Sequence, residues 1–137
     1  MSWHEMQYRV SYGDTDCMGV VYYANYLEFF ERSRTELLRD AGFPYRQLEE
    51  QGVYFPVSEV QVKYSASACY DDLLTLRSCV SSAKGVRLEI TTRVYRGTEL
   101  LVTGKVILAC VDCNRKPMRL PENIIKISAL YKGDSDE

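Results

Sequence analysis

The chain has one long helical pattern, and four segments with strand-like patterns follow it in succession. Mostly apolar residues recur at helical spacing at Tyr26, Phe30, Ser33, Leu37 and Ala41. This recurrence predicts an amphipathic helix over residues 26–41. The later segments alternate apolar and polar residues or are almost wholly apolar, and they lie at 60–66, 74–80, 86–94 and 100–111. With a short strand predicted at 6–12, the order β-α-β-β-β-β predicts an α+β fold, an antiparallel five-stranded sheet wrapped around one long central helix.

The ends of these elements are marked by turn and cap residues. Gly42, followed by a Phe-Pro pair, ends the long helix, and Asn25 or a neighbour can cap its start. Short helices are predicted at 45–51 and after Pro121. On the long helix, the side chains expected to face solvent are Glu28, Glu31, Arg32, Arg34 and Arg39. The sheet predicted above has an uncovered face or edge, and dimerisation that continues the sheet would cover it.

Length and charge limit the classes of protein to consider. The 137 residues suit one domain, which we predict over 1–132, with a disordered acidic tail at 133–137. A net charge of −2, from 17 basic and 19 acidic residues, predicts no nucleic-acid partner. The apolar runs are shorter than the roughly 20 residues of a membrane span, and the first residues lack signal-peptide features. We therefore expect a cytoplasmic protein without membrane insertion.

The cysteines and the single histidine give little support to a metal site or a catalytic triad. Five cysteines, an odd count, are expected to be reduced thiols. Cys110 and Cys113 have metal-like spacing, but no second pair accompanies them, and Cys110 fits a buried strand position. His4 is the only histidine and is expected near a mobile terminus. We predict no metal, and no Ser-His-Asp or Cys-His arrangement.

The segment 12–26 is where we expect function. Asp14 and Asp16 lie in a turn that leads through Gly19 into the helix start. The residues after Asp16 are apolar or aromatic, so we expect its carboxylate beside an apolar pocket. Placing a carboxylate there costs free energy unless the carboxylate is well hydrogen-bonded, and such sites tend to take part in chemical reactions.

A carboxylate at the entry to a helix is chemically sufficient for thioester cleavage. The leaving thiolate needs no dedicated general acid near neutral pH. A carboxylate serves as nucleophile or general base, and backbone N–H groups at a helix N-terminus polarise the carbonyl. The segment 16–26 supplies both groups within a few residues.

The segment Gly13-Asp-Thr-Asp-Cys-Met-Gly-Val-Val-Tyr-Tyr-Ala-Asn-Tyr26 resembles the signature of the hotdog-fold thioesterases of the 4-hydroxybenzoyl-CoA type. That family includes the acyl-CoA thioesterases associated with the bacterial Tol-Pal system. The similarity covers nearly the whole chain, including 64–72 and 119–121. It implies a hotdog fold and hydrolysis of a small or aromatic acyl-CoA without a cofactor.

The resemblance also implies roles for individual residues. Asp16 is the implied catalytic carboxylate, and the backbone amide of Tyr23 polarises the thioester carbonyl. The implied substrate-binding residues are Gly19, Val20, Lys84 and Arg87. Lys84 matches a position that contacts the nucleotide, although Lys84 and Arg87 also fit the reading of solvated turn charges. The implied structural support of the site comes from Asp14, Asn25 and Tyr26. The family implies a homo-oligomer, a dimer of dimers (homotetramer), with sites at the dimer interface.

One position departs from the pattern, and two other functions stay open. Many relatives in the Tol-Pal branch have histidine where this chain has Tyr23, which favours the hydroxybenzoyl-type arrangement in which the aspartate acts largely alone. A thioesterase for acyl groups on acyl carrier protein is one alternative. A non-catalytic acyl-CoA-binding module is the other, although the Asp16 carboxylate argues against it. A dehydratase of the same fold is disfavoured because it relies on a histidine.

Overall fold

A five-stranded antiparallel sheet packs around one long helix in the computed structural model, which describes residues 3–133. In chain order the elements are β1 (His4–Arg9), a 3₁₀ turn (Tyr12–Asp14), α1 (Asn25–Asp40), α2 (Tyr45–Glu50), β2 (Val57–Tyr64), β3 (Leu73–Lys84), β4 (Arg87–Arg96), β5 (Glu99–Ala109) and α3 (Glu122–Leu130). The strands lie in the order β1-β3-β4-β5-β2. No helix within the described range is long and apolar enough to cross a membrane.

The α+β architecture predicted from the order of elements is confirmed, and the differences lie at strand ends. β1 ends at Arg9 instead of continuing to Tyr12, because the chain turns and Val10 N–H bonds to Asp72 O at 2.9 Å. β2 begins at Val57, earlier than expected. Of the tail predicted at 133–137, only Gly133 lies among the described residues, and it is buried.

The core lies between one face of α1 and the inner face of the sheet. The buried residues of α1 follow its helical period, as predicted: Tyr26, Phe29, Phe30, Ser33, Leu37 and Leu38. They pack in one cluster with the inward side chains of the strands, including Leu76, Ile90 and Leu101. Ser33 is the polar member of the helix face, and its hydroxyl bonds to that of Ser78, which in turn bonds to Thr92 at 2.9 Å. The hydroxyls thus satisfy each other inside the core.

His4, which was expected near a mobile terminus, is buried on the first strand, and the two residues at the terminus lie outside the described range. It lies on β1 with 5% of its surface exposed, and its Nε2 lies 2.7 Å from Asp40 Oδ2. Its ring also contacts the edge of Tyr131. Asp40 is the last residue of α1, so His4 fastens the end of the helix that is about 24 Å from the start at Asn25.

β2 leaves one edge of the sheet open. It pairs on one side with β5, and among the described residues no strand covers its other side. Its apolar side chains Val57, Val60 and Tyr64 are exposed. An open edge with exposed apolar residues is a template for pairing with another chain.

β5 approaches α1 closely at Gly104. A Cβ atom at this position would overlap the ring of Phe30, which is fully buried and has little room to move. We expect Gly104→Ala to lower the free energy of unfolding by about 1–3 kcal/mol through overpacking. Urea denaturation of the purified variants measures this change.

Gly13→Ala is the matched control, because a Cβ there has no heavy atom within 4 Å. It should unfold close to the parent midpoint. Equal midpoints for the two alanine variants would contradict the close contact between β5 and α1.

Candidate functional site

The segment 14–21, which we call the Asp16 loop, is a tight hydrogen-bonded turn. Asp16 N–H donates to Val20 O at 2.9 Å, and Gly19 N–H donates to Asp16 O at 3.1 Å. Gly19 has φ +79°, a left-handed conformation that glycine adopts without strain. Val21 N–H donates to Ala68 O at 2.9 Å and fastens the loop to the segment 65–72.

Asp16 is exposed in the single chain, with one carboxylate oxygen unused. Its Oδ1 accepts the N–H of Met18 at 2.8 Å, while Oδ2 has no hydrogen-bond partner within residues 3–133. Of the side chains expected around it, Tyr22 (45%) and Tyr23 (62%) are exposed, as is the neighbouring Met18 (81%), whereas Val20 is half-buried and Val21 is buried. One chain therefore supplies the carboxylate and apolar neighbours but does not enclose them. Exposed apolar side chains in a group mark an interaction surface.

Asp14 joins the Asp16 loop to β1 and α1. Its carboxylate accepts hydrogen bonds from the Tyr8 hydroxyl at 2.6 Å and from Ser11 N–H at 2.9 Å. Its backbone carbonyl accepts the Asn25 side-chain amide at 2.8 Å and Tyr22 N–H at 3.0 Å. Burial, and then the bond to the Asp14 carboxylate, raise the pKa of Tyr8, so its hydroxyl remains a donor at neutral pH.

The start of α1 offers an unpaired amide to a ligand. Ala24 occupies the N-cap position and has no side-chain cap, whereas Asn25, which was expected to cap the helix, is its first residue and donates its side-chain N–H to Asp14 O. The N–H of Tyr23 has no acceptor in the described part of the chain. It lies next to the positive end of the helix dipole, where N–H groups stabilise developing negative charge. The Tyr23 carbonyl, in contrast, accepts the Tyr64 hydroxyl at 3.0 Å.

Three tyrosine hydroxyls hold this region, and of these tyrosines only Tyr26 was expected to support the site. Tyr26, expected in the core, is 2% exposed, and its hydroxyl accepts the N–H of Ala68 at 3.0 Å. Tyr8 and Tyr64 bond to groups 6 and 41 positions away. No local spacing signals such pairs; only the fold brings them together.

A single chain does not bring Lys84 and Arg87 to Asp16. These residues face each other, exposed, at the tip of the β3–β4 hairpin. The Asp16 loop is fastened to the segment 65–72, which bonds to Arg96 at the other end of β4 and to Leu101 near the start of β5. The ten residues of β4 separate the two ends by about 30 Å.

A cavity of about 250 Å³ lies under the second half of α1, toward the hairpin end of the sheet. We call it the α1 cavity. Most of its lining is apolar and comes from α1, α2, the start of β2, β4 and β5: Leu38, Tyr45, Phe55, Pro56, Val57, Leu88, Ile90 and Leu108. The polar lining residues are Glu31, Arg34 and Thr35. Arg34 was expected on the solvent face, but it is half-buried, and this burial lowers its pKa.

The thiols and carboxylates do not form a metal centre in the described residues. Cys110 is buried, as its position in the sequence predicted, and its Sγ lies 3.9 Å from Arg119 O, whereas Cys113 is exposed. No three His, Cys, Asp or Glu side chains between residues 3 and 133 converge as metal ligands would.

The segment 65–72, which supports the Asp16 loop, is itself held by an ion pair. Asp72 Oδ2 accepts Arg96 Nη1 at 2.7 Å and the N–H of Cys69 at 2.8 Å. Burial alone would raise the pKa of Asp72, but the bond from Cys69 and the contact with Arg96 outweigh it and lower the pKa below its ordinary value of 3.8.

Comparison with known proteins gives consistent matches. Residues 10–127 match the model of the family described as the thioesterase-like superfamily. The acyl-CoA thioesterase YbgC of Haemophilus influenzae is 43% identical over 118 residues, 85% of this chain and 87% of that protein. The 4-hydroxybenzoyl-CoA thioesterase of Pseudomonas sp. strain CBS-3 is 31% identical over 78 residues, 55% of each chain. A probable thioesterase from Bartonella henselae superposes with a TM-score of 0.83 at 41% identity, covering 87% of this chain and 99% of that one.

The Asp72–Arg96 pair predicts a loss of stability in acid. Because the folded pKa of Asp72 is lowered, its contribution is present above about pH 4 and is lost as the pH falls through the folded pKa. Asp72→Asn should therefore lower the free energy of unfolding at neutral pH, and its difference from the parent should shrink below pH 4. Urea denaturation from pH 2 to pH 7 measures this.

Asp71→Asn is the control, since Asp71 is exposed and has φ +71°, which asparagine tolerates. Its difference from the parent should be small at every pH. A difference for Asp72→Asn that stays constant from pH 7 to pH 2 would contradict the proposed contribution of the ion pair.

Proposed function

Because this chain belongs to the thioesterase-like superfamily, we propose that it hydrolyses the thioester of small or aromatic acyl-CoA substrates to the free acid and coenzyme A. It is a thioester hydrolase, and its resemblance to the hotdog-fold thioesterases is confirmed. The observation that carries the proposal is the Asp16 loop. Its carboxylate has a free oxygen, and the unpaired Tyr23 amide follows directly after the loop, where the chain enters α1.

In the proposed reaction, Asp16 and the Tyr23 amide have separate tasks. The Asp16 carboxylate attacks the thioester carbonyl or activates a water molecule that does so. The Tyr23 N–H, with the dipole of α1 behind it, stabilises the negative charge on the carbonyl oxygen. The C–S bond then breaks, and the thiolate of coenzyme A leaves without a general acid. If Asp16 is the nucleophile, water hydrolyses the resulting acyl–Asp16 anhydride, which releases the free acid and restores the carboxylate; if Asp16 is the base, it takes the proton of the attacking water.

This reaction proceeds without histidine. His4 pairs with Asp40 at the far end of α1, and position 23 is a tyrosine, so no imidazole of the same chain assists the Asp16 loop. The hydroxybenzoyl-type arrangement, in which the aspartate acts largely alone, fits this observation.

The open edge of β2 supports a site shared between two copies. If two β2 strands pair antiparallel about a two-fold axis, the Tyr64 end of one lies beside the Val57 end of the other. Tyr64 bonds to Tyr23 beside the Asp16 loop, and Val57 lines the α1 cavity. The pairing would therefore set the Asp16 loop of one copy beside the α1 cavity and hairpin of the other.

The volume of the α1 cavity favours a substrate with a compact acyl group. A cavity of about 150 Å³ holds a benzene molecule, so about 250 Å³ suits a substituted ring or a short branched chain. The hairpin beyond it carries Lys84 and Arg87, whose positive charges suit the phosphates of coenzyme A. Coenzyme A is proposed as the carrier, in preference to acyl carrier protein, because the names of the Haemophilus and Pseudomonas relatives specify it.

Replacement of Asp16 tests the reaction. We expect Asp16→Asn to fold and bind acyl-CoA like the parent but to lose at least about 100-fold in kcat, because the amide is neither nucleophile nor base. Turnover is measured over short, aromatic and long acyl-CoAs, and over matched acyl carrier protein thioesters. The parent should favour the short and aromatic CoA thioesters.

Asp71→Asn serves as the control for loss of a nearby carboxylate, and it should retain parental turnover. A parental rate for Asp16→Asn across the panel would remove Asp16 from the mechanism. A parent that binds acyl-CoA without turnover would overturn the proposed hydrolysis.

Subunit complementation tests the shared site. Asp16→Asn removes one half of the proposed site, and Lys84→Ala with Arg87→Ala weakens the other half and should raise KM. Mixed dimers of the two variants contain one intact site, so an equal mixture should recover about a quarter of the parental sites, with parental KM. Light scattering establishes the assembly state of each sample.

Recovery requires that the Asp16 loop and the hairpin come from different copies. A mixture whose activity is only the sum of its two components would show that the site is confined to one chain, or that the hairpin does not bind substrate.

A further inference from the structure

Tyr64 connects the edge strand β2 to the start of α1. Its hydroxyl donates to the carbonyl oxygen of Tyr23 at 3.0 Å, across 41 positions of sequence. Its ring meets the Tyr23 ring edge-on at 6.4 Å and the Tyr26 ring at 5.6 Å. Since Tyr26 is buried and bonded to Ala68, the ring of Tyr64 has a fixed neighbour to pack against.

The helix itself supplies no hydrogen bond to the Tyr23 carbonyl. Tyr23 precedes the N-cap, Ala24, and the first carbonyl bonded within the helix is that of Ala24, which accepts Leu27 N–H at 3.1 Å. Within residues 3–133, the Tyr23 carbonyl thus accepts its hydrogen bond from the hydroxyl of Tyr64.

Fixing this carbonyl also fixes the neighbouring amide. The N–H and C=O of Tyr23 are linked through its φ and ψ angles, which are the only soft torsions between them. On the N-terminal side, Tyr22 N–H is bonded to Asp14 O and Val21 N–H to Ala68 O. The bond from Tyr64 holds the carbonyl on the C-terminal side of Tyr23, so hydrogen bonds restrain the backbone on both sides of this residue.

We propose that Tyr64 is a positioning residue, which aims the Tyr23 amide at the thioester oxygen by holding the Tyr23 carbonyl. This inference rests on the proposed thioesterase function. A donor to a developing oxyanion is effective only over a narrow range of distance and direction, so a loosened amide lowers the rate of the chemical step. Burial raises the pKa of Tyr64, which keeps its hydroxyl protonated as a donor at neutral pH.

Tyr64→Phe isolates the hydrogen bond, because it keeps the ring and its aromatic contacts. We expect kcat to fall about 10-fold, with KM within twofold of the parent, and an unchanged shape of the pH–rate profile. The thermal midpoint and the assembly state are measured on the same samples, to show that fold and oligomer persist.

Tyr95→Phe is the matched control. Tyr95 lies on β4 next to the inward-facing Val94, so it is on the opposite face of the sheet from α1, where its ring contacts Arg77. The same loss of a hydroxyl there should leave kcat and KM unchanged.

The possible outcomes separate the roles of Tyr64. An unchanged kcat in an active, folded Tyr64→Phe protein overturns the inference and leaves the thioesterase function intact. A raised KM with unchanged kcat would make Tyr64 a substrate-binding residue. Loss of one limb of the pH–rate profile would make it a general acid or base. Either result overturns the proposed positioning role. A parent without turnover overturns the thioesterase function, and the inference falls with it.

Discussion

The burial of α1 against the sheet is the constraint on which the rest of the structure depends. The apolar face of the helix fills the inner face of the sheet, so neither its position along the strands nor its rotation is free. Gly104 allows Phe30 to approach β5, and the His4–Asp40 contact fastens the far end. Because the helix is fixed, the unpaired amide at its start has a defined place relative to the Asp16 loop.

The sequence patterns predicted the parts of the fold that depend on local periodicity. The helical period identified the buried face of α1, and strand alternation identified β2 to β5 to within a few residues. His4 and Arg34 were misjudged, since burial of a polar residue depends on which elements happen to cover it. The Asp16 loop was identifiable from its motif, but the hydroxyls of Tyr8 and Tyr64 were not, because no spacing encodes contacts between distant segments.

The length of the sheet separates the reactive groups from the ligand-binding groups, because they lie at opposite ends of its strands. The Asp16 loop lies near the end of β4, while the α1 cavity and the basic hairpin lie near its start. A thioester of coenzyme A is itself elongated, with its reactive carbonyl between an acyl group and a long pantetheine arm. In the proposed antiparallel pair of copies, the Asp16 loop of one copy and the α1 cavity and hairpin of the other would suit such a ligand.

The place of Tyr64 on an open sheet edge also has a thermodynamic meaning. A strand that gains a neighbour frays less, and in the proposed positioning role Tyr64 would transmit this loss of freedom to the Tyr23 peptide through one hydrogen bond. In the proposed shared site, association and turnover would be linked by mass action. Specific activity would decline on dilution before any unfolding occurs, so the cellular abundance of the protein would itself act as a regulator of its rate.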